Sequence, residues 1–170
     1  DIGAGSGVIG ISIALAFPDT RVVAWEVDAN AVQVSRENAT RLGASNHDIR
    51  ATDFFLDSRF WLSILHGNPA TVVLANPPYI SDAEFAALDP SVREYEPHIA
   101  LRGGTDGLDF YRRLFALIPA TTPLVLEMGY LQGEALLGLA KTAGFSRPQI
   151  KLDLSGKDRA LVANWPTAFD

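Results

Sequence analysis

Short apolar runs alternating with longer amphipathic segments predict an α/β fold with a mostly parallel, twisted sheet and helices on both faces. Three observations carry that reading. Apolar runs at residues 21–26, 49–52, 71–75 and 123–128 have helical patterns between most of them, and a parallel pair of strands needs such a crossover. The chain opens on a glycine loop, Asp1-Ile2-Gly3-Ala4-Gly5-Ser6-Gly7, which reads as the exit of a strand into a helix. Two runs at the far end, 150–153 and 159–164, flank Ser155-Gly156-Lys157 and read as an antiparallel pair, so the sheet closes on a C-terminal antiparallel strand.

The elements follow in order. Residues 6–17 carry Val8, Ile9, Ile11, Ile13, Ala14 and Leu15 and read as a buried helix ending before Pro18. A strand at 21–26 leads to a helix at 28–42, with Asp28 or Asn30 as its N-cap and Gly43 as its stop. After the short strand at 49–52, Asp53 opens a loop. The run Thr71-Val72-Val73-Leu74-Ala75 reads as a strand buried on both faces. A long insertion, 80–107, precedes a helix at 108–118, a buried strand at 123–128 and a helix at 131–143 stopped by Gly144.

With 170 residues and 48% apolar content, the chain has the size of one domain and enough apolar surface for a core. A net charge of −6 disfavours free nucleic acid as a direct partner. The lack of cysteine excludes disulfides and thiolate chemistry. Three scattered histidines (His47, His66, His98) argue against a histidine-rich metal site and receive no role, so no metal is expected. No apolar stretch has transmembrane length, so no membrane partner is expected. The expected compartment is the bacterial cytoplasm, with the mitochondrion as the alternative. Because Asp1-Ile2-Gly3 reads as a strand exit with the strand itself absent, the sequence is expected to be a segment of a longer protein.

The opening loop fits D-x-G-x-G-x-G and also contains a formal G-x-G-x-x-G, Gly5 to Gly10. Gly3, Gly5 and Gly7 let the backbone bend sharply beside a ligand. Glu26, at the end of the run at 21–26, stands where a carboxylate meets ribose hydroxyls. These features suit a dinucleotide and S-adenosylmethionine equally. Asp1 separates them, because a carboxylate beside this loop repels a pyrophosphate and suits a phosphate-free ligand with a cationic tail. Asp53 has two readings, an acceptor for the adenine amine or an N-cap of the next helix.

Asn76-Pro77-Pro78-Tyr79 follows the buried run at 71–75. Pro77 and Pro78 have no N–H, so the loop offers carbonyls and side chains with few donors. That inventory suits a planar NH2 group, whose two hydrogens both need acceptors. The Asn76 side-chain oxygen and the Pro77 carbonyl take one each, and Tyr79 covers the flat face.

On these residues the chain resembles the class I S-adenosylmethionine-dependent methyltransferases, and more narrowly the enzymes that methylate a glutamine amide of class I peptide-chain release factors. Besides the glycine loop, Glu26, Asp53-Phe54-Phe55 and the Asn76 to Ile80 stretch, the resemblance runs through Val92 to Pro97, Ala100 to Arg112, Glu127-Met128-Gly129, Gln132-Gly133 and Asp153 to Arg159. It implies a Rossmann-like catalytic domain spanning 1–170, without the N-terminal helical domain that the family carries. It also implies S-adenosyl-L-methionine as cofactor and S-adenosyl-L-homocysteine as product. Asp1, Gly3, Gly5, Gly7, Glu26, Asp53, Phe54 and Asn76 fall to the cofactor. Asn76, Pro77 and Tyr79 fall to catalysis, and these three with Pro78 and Glu96 to the substrate, a class I release factor.

The motifs shared with adenine and guanine amine methyltransferases leave base methylation of DNA or RNA as a rival, and that rival needs a positive groove beside the Asn-Pro-Pro-Tyr loop. A non-catalytic binding module is disfavoured by intact Asn76 and Tyr79, and a nicotinamide oxidoreductase by Asp1. The charged residues of the insertion (Asp82, Glu84, Asp89, Arg93, Glu94, Glu96) read equally as a surface for a basic partner or as plain solvated charge. Trp25 and Trp61 read as core, and Lys157 and Arg159 as solvated charges of a hairpin turn.

Overall fold

The computed structural model describes residues 1–67, 71–95 and 97–165. The chain falls into two compact units, Asp1–Asn76 and Pro77–Asp170.

In the first unit the glycine loop enters α1 (Val8–Ala16), followed by β1 (Val22–Glu26), α2 (Ala29–Leu42) and β2 (His47–Ala51). A 3-10 turn over Phe54–Leu56, α3 (Ser58–Gly67) and β3 (Val73–Ala75) complete it. β1 and β2 pair in parallel with Val22 opposite His47 and Glu26 opposite Ala51. Ile2 forms parallel bridges to Trp25 on one side and Ala75 on the other, which puts the opening segment between β1 and β3. The sheet of this unit therefore runs β3, opening segment, β1, β2, and the chain leaves the opening segment where the strand order reverses. In open α/β sheets that crevice, at the carboxyl ends of the strands, is where ligands bind.

α2 has the ends read from sequence. The Asp28 side chain accepts from the Ala31 N–H at 2.8 Å, and Gly43 closes the helix in the left-handed region at φ 76°. α1 is less buried than its apolarity suggests. Ile11 and Ala14 face inward, whereas Val8 is 67% and Leu15 is 45% exposed. α3 occupies residues read as loop. Its signal, Trp61 spaced from Ile64 and Leu65 with Gly67 at the end, lies behind the aromatic cluster Phe54, Phe55 and Phe60, which has no clear period.

The second unit holds three short helices in the insertion, α4 (Asp82–Ala86), α5 (Pro90–Tyr95) and α6 (His98–Leu101), then α7 (Asp109–Leu117). β4 (Leu124–Glu127), α8 (Gly133–Thr142), β5 (Gln149–Leu152) and β6 (Asp158–Ala163) follow. β6 lies between β4 and β5 and is antiparallel to both, as the sequence predicts for the C-terminal hairpin. The insertion is not an open loop. Ile80 bridges Arg102, the Ile80 N–H donates to Leu101 O at 2.9 Å, and the Gly103 N–H returns to Ile80 O at 2.8 Å. Its carboxylates serve the insertion's own architecture. Ser81 and Glu84 make a reciprocal capping box, Asp89 accepts from Ser91, and Asp82 pairs with Arg102 at 2.7 Å. Glu96 lies outside the described residues.

The core of the second unit centres on Tyr111, Leu114, Leu124, Leu126, Met128, Leu136 and Leu161, all fully buried. Tyr111 brings a hydroxyl into that core and donates it to the Glu127 carbonyl at 2.6 Å. Burial raises the Tyr111 phenol far above its usual range, so it stays a donor. Tyr111→Phe is expected to lower the unfolding free energy of the full-length protein by about 1–3 kcal/mol, because a buried acceptor loses its donor. The check is the urea midpoint, which should fall at constant m-value.

Candidate active site

Three residues of the first unit stand level at one strand edge. Ile2 pairs with Trp25 and Ala75, so the next residue in each case (Gly3, Glu26 and Asn76) emerges together. Backbone bonds fix this alignment. The Ile2 N–H donates to Leu74 O at 2.9 Å, and the Gly3 and Ala4 N–H groups both donate to Trp25 O, at 2.9 and 3.0 Å.

The Glu26 carboxylate braces the glycine loop. One oxygen accepts from the Gly5 N–H at 2.8 Å, and the other from the Val27 and Asp28 N–H groups at 2.7 and 2.9 Å. A carboxylate oxygen holds two acceptor positions, so the oxygen on Gly5 keeps one for a ligand. Gly3 and Gly5 adopt left-handed φ of 70° and 55°, and a Cβ on either would point into open space. Gly7 is different. A Cβ there would sit 2.5 Å from Ser35 Oγ and 2.7 Å from Ile11 Cδ1, so this buried glycine lets α1 pack closely on α2.

Asp1 turns one carboxylate oxygen to the Gly10 N–H at 2.9 Å, in the first turn of α1, while its other oxygen is buried without a partner among the described residues. His47 lies alongside: a Cβ on Gly10 would come within 2.9 Å of His47 Nε2 and 3.1 Å of Asp1 Oδ2. Both His47 ring nitrogens are buried without partners among the described residues, and burial lowers its pKa.

Asp53 makes the bond expected of an N-cap, accepting from the Phe55 N–H at 2.9 Å at the head of the 3-10 turn. The Phe54 ring belongs to the aromatic core, stacked on Trp61 at 5.2 Å and edge-on to Trp25 at 5.2 Å. Asp57, which the sequence reading missed, ties this turn to the sheet. It accepts from Trp25 Nε1 at 3.0 Å and from Arg50 Nε at 2.6 Å, and the Arg50 guanidinium lies 3.7 Å from the Phe60 ring centre. Burial pushes the Asp57 pKa up, but these two hydrogen bonds outweigh it and hold the carboxyl below its usual value.

Asn76 is exposed, and its side-chain amide makes no hydrogen bond to any described residue. The Pro77 and Pro78 carbonyls likewise accept no hydrogen bond from the described residues.

In the second unit Tyr79 is clamped at both ends. Its hydroxyl meets Glu127 Oε1 at 3.4 Å, and its carbonyl accepts from Gln132 Nε2 at 2.9 Å. The same Gln132 nitrogen reaches Gly107 O at 3.2 Å, and Gln132 Oε1 accepts from the Gly129 N–H at 2.9 Å. One amide thus fastens the loop after Pro78, the end of the insertion and the exit of β4. Two glycines make the approach possible: a Cβ on Gly103 would lie 2.7 Å from Pro78 O, and one on Gly107 would collide with Tyr79 O and the Gln132 amide. Arg159, expected to be a solvated turn charge, donates to Asp153 at 3.1 and 3.3 Å and lies 3.9 Å from Glu127. Lys157 is exposed, as expected of a turn charge, with its Nζ 4.9 Å over the Tyr130 ring. The Tyr79 phenol is raised above its usual value, first by burial and then by the Glu127 charge.

The family model for the methyltransferase small domain matches residues 1–89. The chain belongs to that family. Among curated relatives it is 38% identical over 173 residues to the release factor glutamine methyltransferase of Cereibacter sphaeroides, covering 99% of this chain and 59% of the relative. It is 39% identical over 165 residues to the protein of the same name from Geobacter sulfurreducens, covering 95% of this chain and 55% of that one. The chain thus spans little more than half the length of the curated relatives it matches. Solved methyltransferases share the fold. The hMettl16 catalytic domain superposes with a TM-score of 0.69 at 14% identity, over 98% of this chain and 64% of that one. An RNA methyltransferase from Salinibacter ruber, solved with S-adenosyl-L-homocysteine, gives 0.53 at 23% identity, over 100% and 84%. The Rossmann-like class I methyltransferase fold read from the sequence is the fold of this family member.

Gln132 is the site residue that the sequence obscured, and it generates a test that needs no assay of activity. Gln132→Ala is expected to lose hydrogen-exchange protection both at the Gly129 amide and at the amides of residues 79–81. Gln132→Glu keeps an acceptor for Gly129 but has no donor for the Tyr79 and Gly107 carbonyls. Gly129 should then stay protected while the amides of residues 79–81 exchange faster. Equal protection in all three proteins contradicts the clamp.

Proposed function

We propose that this chain is the catalytic part of an enzyme that moves a methyl group from S-adenosylmethionine to the side-chain amide nitrogen of a glutamine in a class I peptide-chain release factor. The observation that carries this reading is the unengaged Asn76 amide, level with Gly3 and Glu26 at one strand edge and followed by two prolines with unclaimed carbonyls. The names and identities of the curated relatives support the choice of acceptor. The proposed compartment is the bacterial cytoplasm. No helix among the described residues is long and apolar enough to cross a membrane.

The first unit fits the cofactor. Open space beside Gly3 and Gly5 leaves room for a ligand against the loop. Glu26 retains an acceptor position for a ribose hydroxyl. Asp53 and the Phe54 N–H, which serves no described acceptor, present an acceptor and a donor side by side, matching the amine and ring nitrogen of an adenine edge. Asp1 adds a negative charge suited to a cationic tail. Bound there, S-adenosylmethionine supplies a methyl group on a sulfonium and leaves as S-adenosylhomocysteine.

The chain's own residues position the acceptor. The Asn76 oxygen and the Pro77 carbonyl accept the two amide hydrogens, which turns the nitrogen lone pair outward and favours its pyramidal form. Tyr79 covers the amide plane. No general base is needed if the proton leaves to water after the nitrogen has been alkylated. Catalysis then rests on orientation and on oriented dipoles.

The deciding experiment incubates the full-length protein with methyl-labelled cofactor, a release factor and nucleic acid in parallel. Label in a glutamine of the release factor is expected. Label in nucleic acid bases establishes the rival, and label in neither removes both.

Within that assay Asn76→Ala should cut single-turnover transfer by roughly two or more orders of magnitude, since one oriented polar contact in a preorganised site is worth about 2.7–4 kcal/mol. Cofactor affinity should stay within a few-fold and the melting temperature should hold, because Asn76 is exposed and unbonded. A lower melting temperature with unchanged transfer makes the loop a scaffold. Tyr79→Ala should weaken acceptor binding and turnover, and Tyr79→Phe much less, because the hydroxyl contact is long at 3.4 Å. A phenol pKa above its usual value of about 10 keeps Tyr79 neutral at lower pH. Tyr79→Phe should therefore leave the shape of the pH–rate profile unchanged between about pH 6 and 9.

A further inference from the structure

His47, on β2, and Asp1, on the opening segment, meet at the first turn of α1. Gly10 marks the meeting point: a Cβ there would lie 2.9 Å from His47 Nε2 and 3.1 Å from Asp1 Oδ2. Asp1 Oδ2 accepts from the Gly10 N–H at 2.9 Å, while Asp1 Oδ1 and both ring nitrogens of His47 are buried without a partner among the described residues. We propose that His47 governs the charge that Asp1 presents at the glycine loop, so that a proton taken up by His47 weakens binding of the cofactor's cationic tail. The proposal rests on the reading of Asp1 given above and extends it to a positioning residue and a pH dependence of the cofactor site.

A buried polar side chain nearly always finds a hydrogen-bond partner. His47 finds none among the described residues, in a strand position where an apolar residue would pack on α1 without that cost. A titratable group held dry beside a carboxylate is the arrangement expected where a charge state is used. With one oxygen buried and the other on the Gly10 N–H, Asp1 acts on a ligand through its charge rather than by contact, and burial leaves that charge weakly screened. Neutral His47 leaves the full negative charge of Asp1 at the loop. Protonated His47 sets an opposite charge beside it, and the pair no longer attracts a cation bound against Gly3 and Gly5.

The other charges around His47 are engaged or exposed. Asp48 follows it on β2 and pairs with Arg21 at 3.3 Å. α1 carries no ionisable residue, and Arg36, Glu37 and Arg41 of α2 are exposed. On β1, Val22 stands opposite His47, and Glu26 is taken up by the backbone of Gly5, Val27 and Asp28. The Asp1 amino group donates to Val23 O at 2.9 Å and is lowered to about 5 by burial. Burial is the first cause that lowers the His47 pKa and the Asp1 amino charge the second, while Asp48 opposes them. In a longer chain the Asp1 nitrogen is an uncharged peptide N–H, and burial still leads. His47 is therefore neutral at neutral pH and takes up its proton only below the ordinary histidine value of about 6.5. A bound cation opposes that proton, so affinity is full above this range and is lost as the pH falls through it.

The test measures S-adenosylmethionine binding to the full-length protein by calorimetry at about pH 7.5 and about pH 5.5, on either side of the histidine range. Wild type should bind several-fold more weakly at the lower pH, and His47→Gln, which cannot titrate, should bind equally at both. In a second measurement, the NMR titration midpoint of the His47 ring protons in wild type should move to lower pH when the site is saturated with S-adenosylmethionine. It should move the same way in Asp1→Asn, which removes the neighbouring anion. Equal wild-type affinity at the two pH values overturns the proposal, as does a pH dependence that survives in His47→Gln. If His47→Gln fails to fold, the titration decides alone: a midpoint that saturation leaves in place marks His47 as a packed side chain and overturns the proposal. Two failures belong instead to the reading beneath it. No binding at either pH removes the cofactor site, and Asp1→Asn that binds as tightly as wild type at the higher pH removes the role of Asp1; the inference falls with either.

Discussion

A single residue, Ile2, sets the geometry of the first unit. Its parallel bridges to Trp25 and Ala75 bring the opening segment between β1 and β3. A strand register is fixed in steps of one residue, so this pairing puts Gly3, Glu26 and Asn76 at the same height with no adjustable link. A shift of one residue would turn the side chains of that strand to the other face of the sheet and take Asn76 out of line with the glycine loop. Glu26 then converts position into rigidity by accepting three backbone N–H groups from two segments. Charge-assisted bonds of this kind are stronger than neutral ones. The loop is thereby preorganised rather than waiting for a ligand to shape it.

In the second unit the same economy of donors decides which carbonyls are available. Pro77 and Pro78 cannot donate, and Gln132 takes the Tyr79 carbonyl, so the clamp closes two positions beyond the Pro77 carbonyl that the proposed mechanism uses. The clamp in turn depends on backbone approaches that a side chain would block. Gly103 and Gly107 are required by contact with Pro78 O, Tyr79 O and Gln132, and Gly107 also sits at φ 76°. Tyr111 anchors the Glu127 main chain from below while the Glu127 side chain faces the Tyr79 hydroxyl and Arg159. Buried polar groups in this unit thus serve to aim the loop as well as to stabilise it.

The glycine loop, the strand ends at Glu26 and Asn76, the caps of α2 and the C-terminal hairpin were all legible in the sequence, because each depends on local chemistry: left-handed φ, missing donors, capping oxygens and turn residues. The interactions that were not legible join residues far apart in the chain. Gln132 acts across 53 positions on Tyr79, and Asp57 across 32 on Trp25; nothing in the local pattern of either residue announces its partner. Arg159 looked like a turn charge because Glu127 comes near it only when β4 and β6 pair, while Asp153 lies across the β5–β6 hairpin turn six residues away. α3 was missed for a different reason: its apolar period is overlaid by phenylalanines that belong to the preceding turn and its aromatic core. Asp53 makes the N-cap bond to the Phe55 N–H, one of its two readings, and its contact with an adenine amine belongs to the proposal.

The central claim is that the strand edge defined by Ile2 is a built site for a phosphate-free nucleoside whose sulfur faces Asn76. A crystal structure of the full-length protein with S-adenosylhomocysteine tests it most directly. The account predicts ribose hydroxyls on Glu26, adenine at Asp53 and the Phe54 N–H, and the sulfur turned to the Asn76 side chain. Ligand bound away from the Gly3–Glu26 edge, or bound there with its sulfur turned from Asn76, would contradict it.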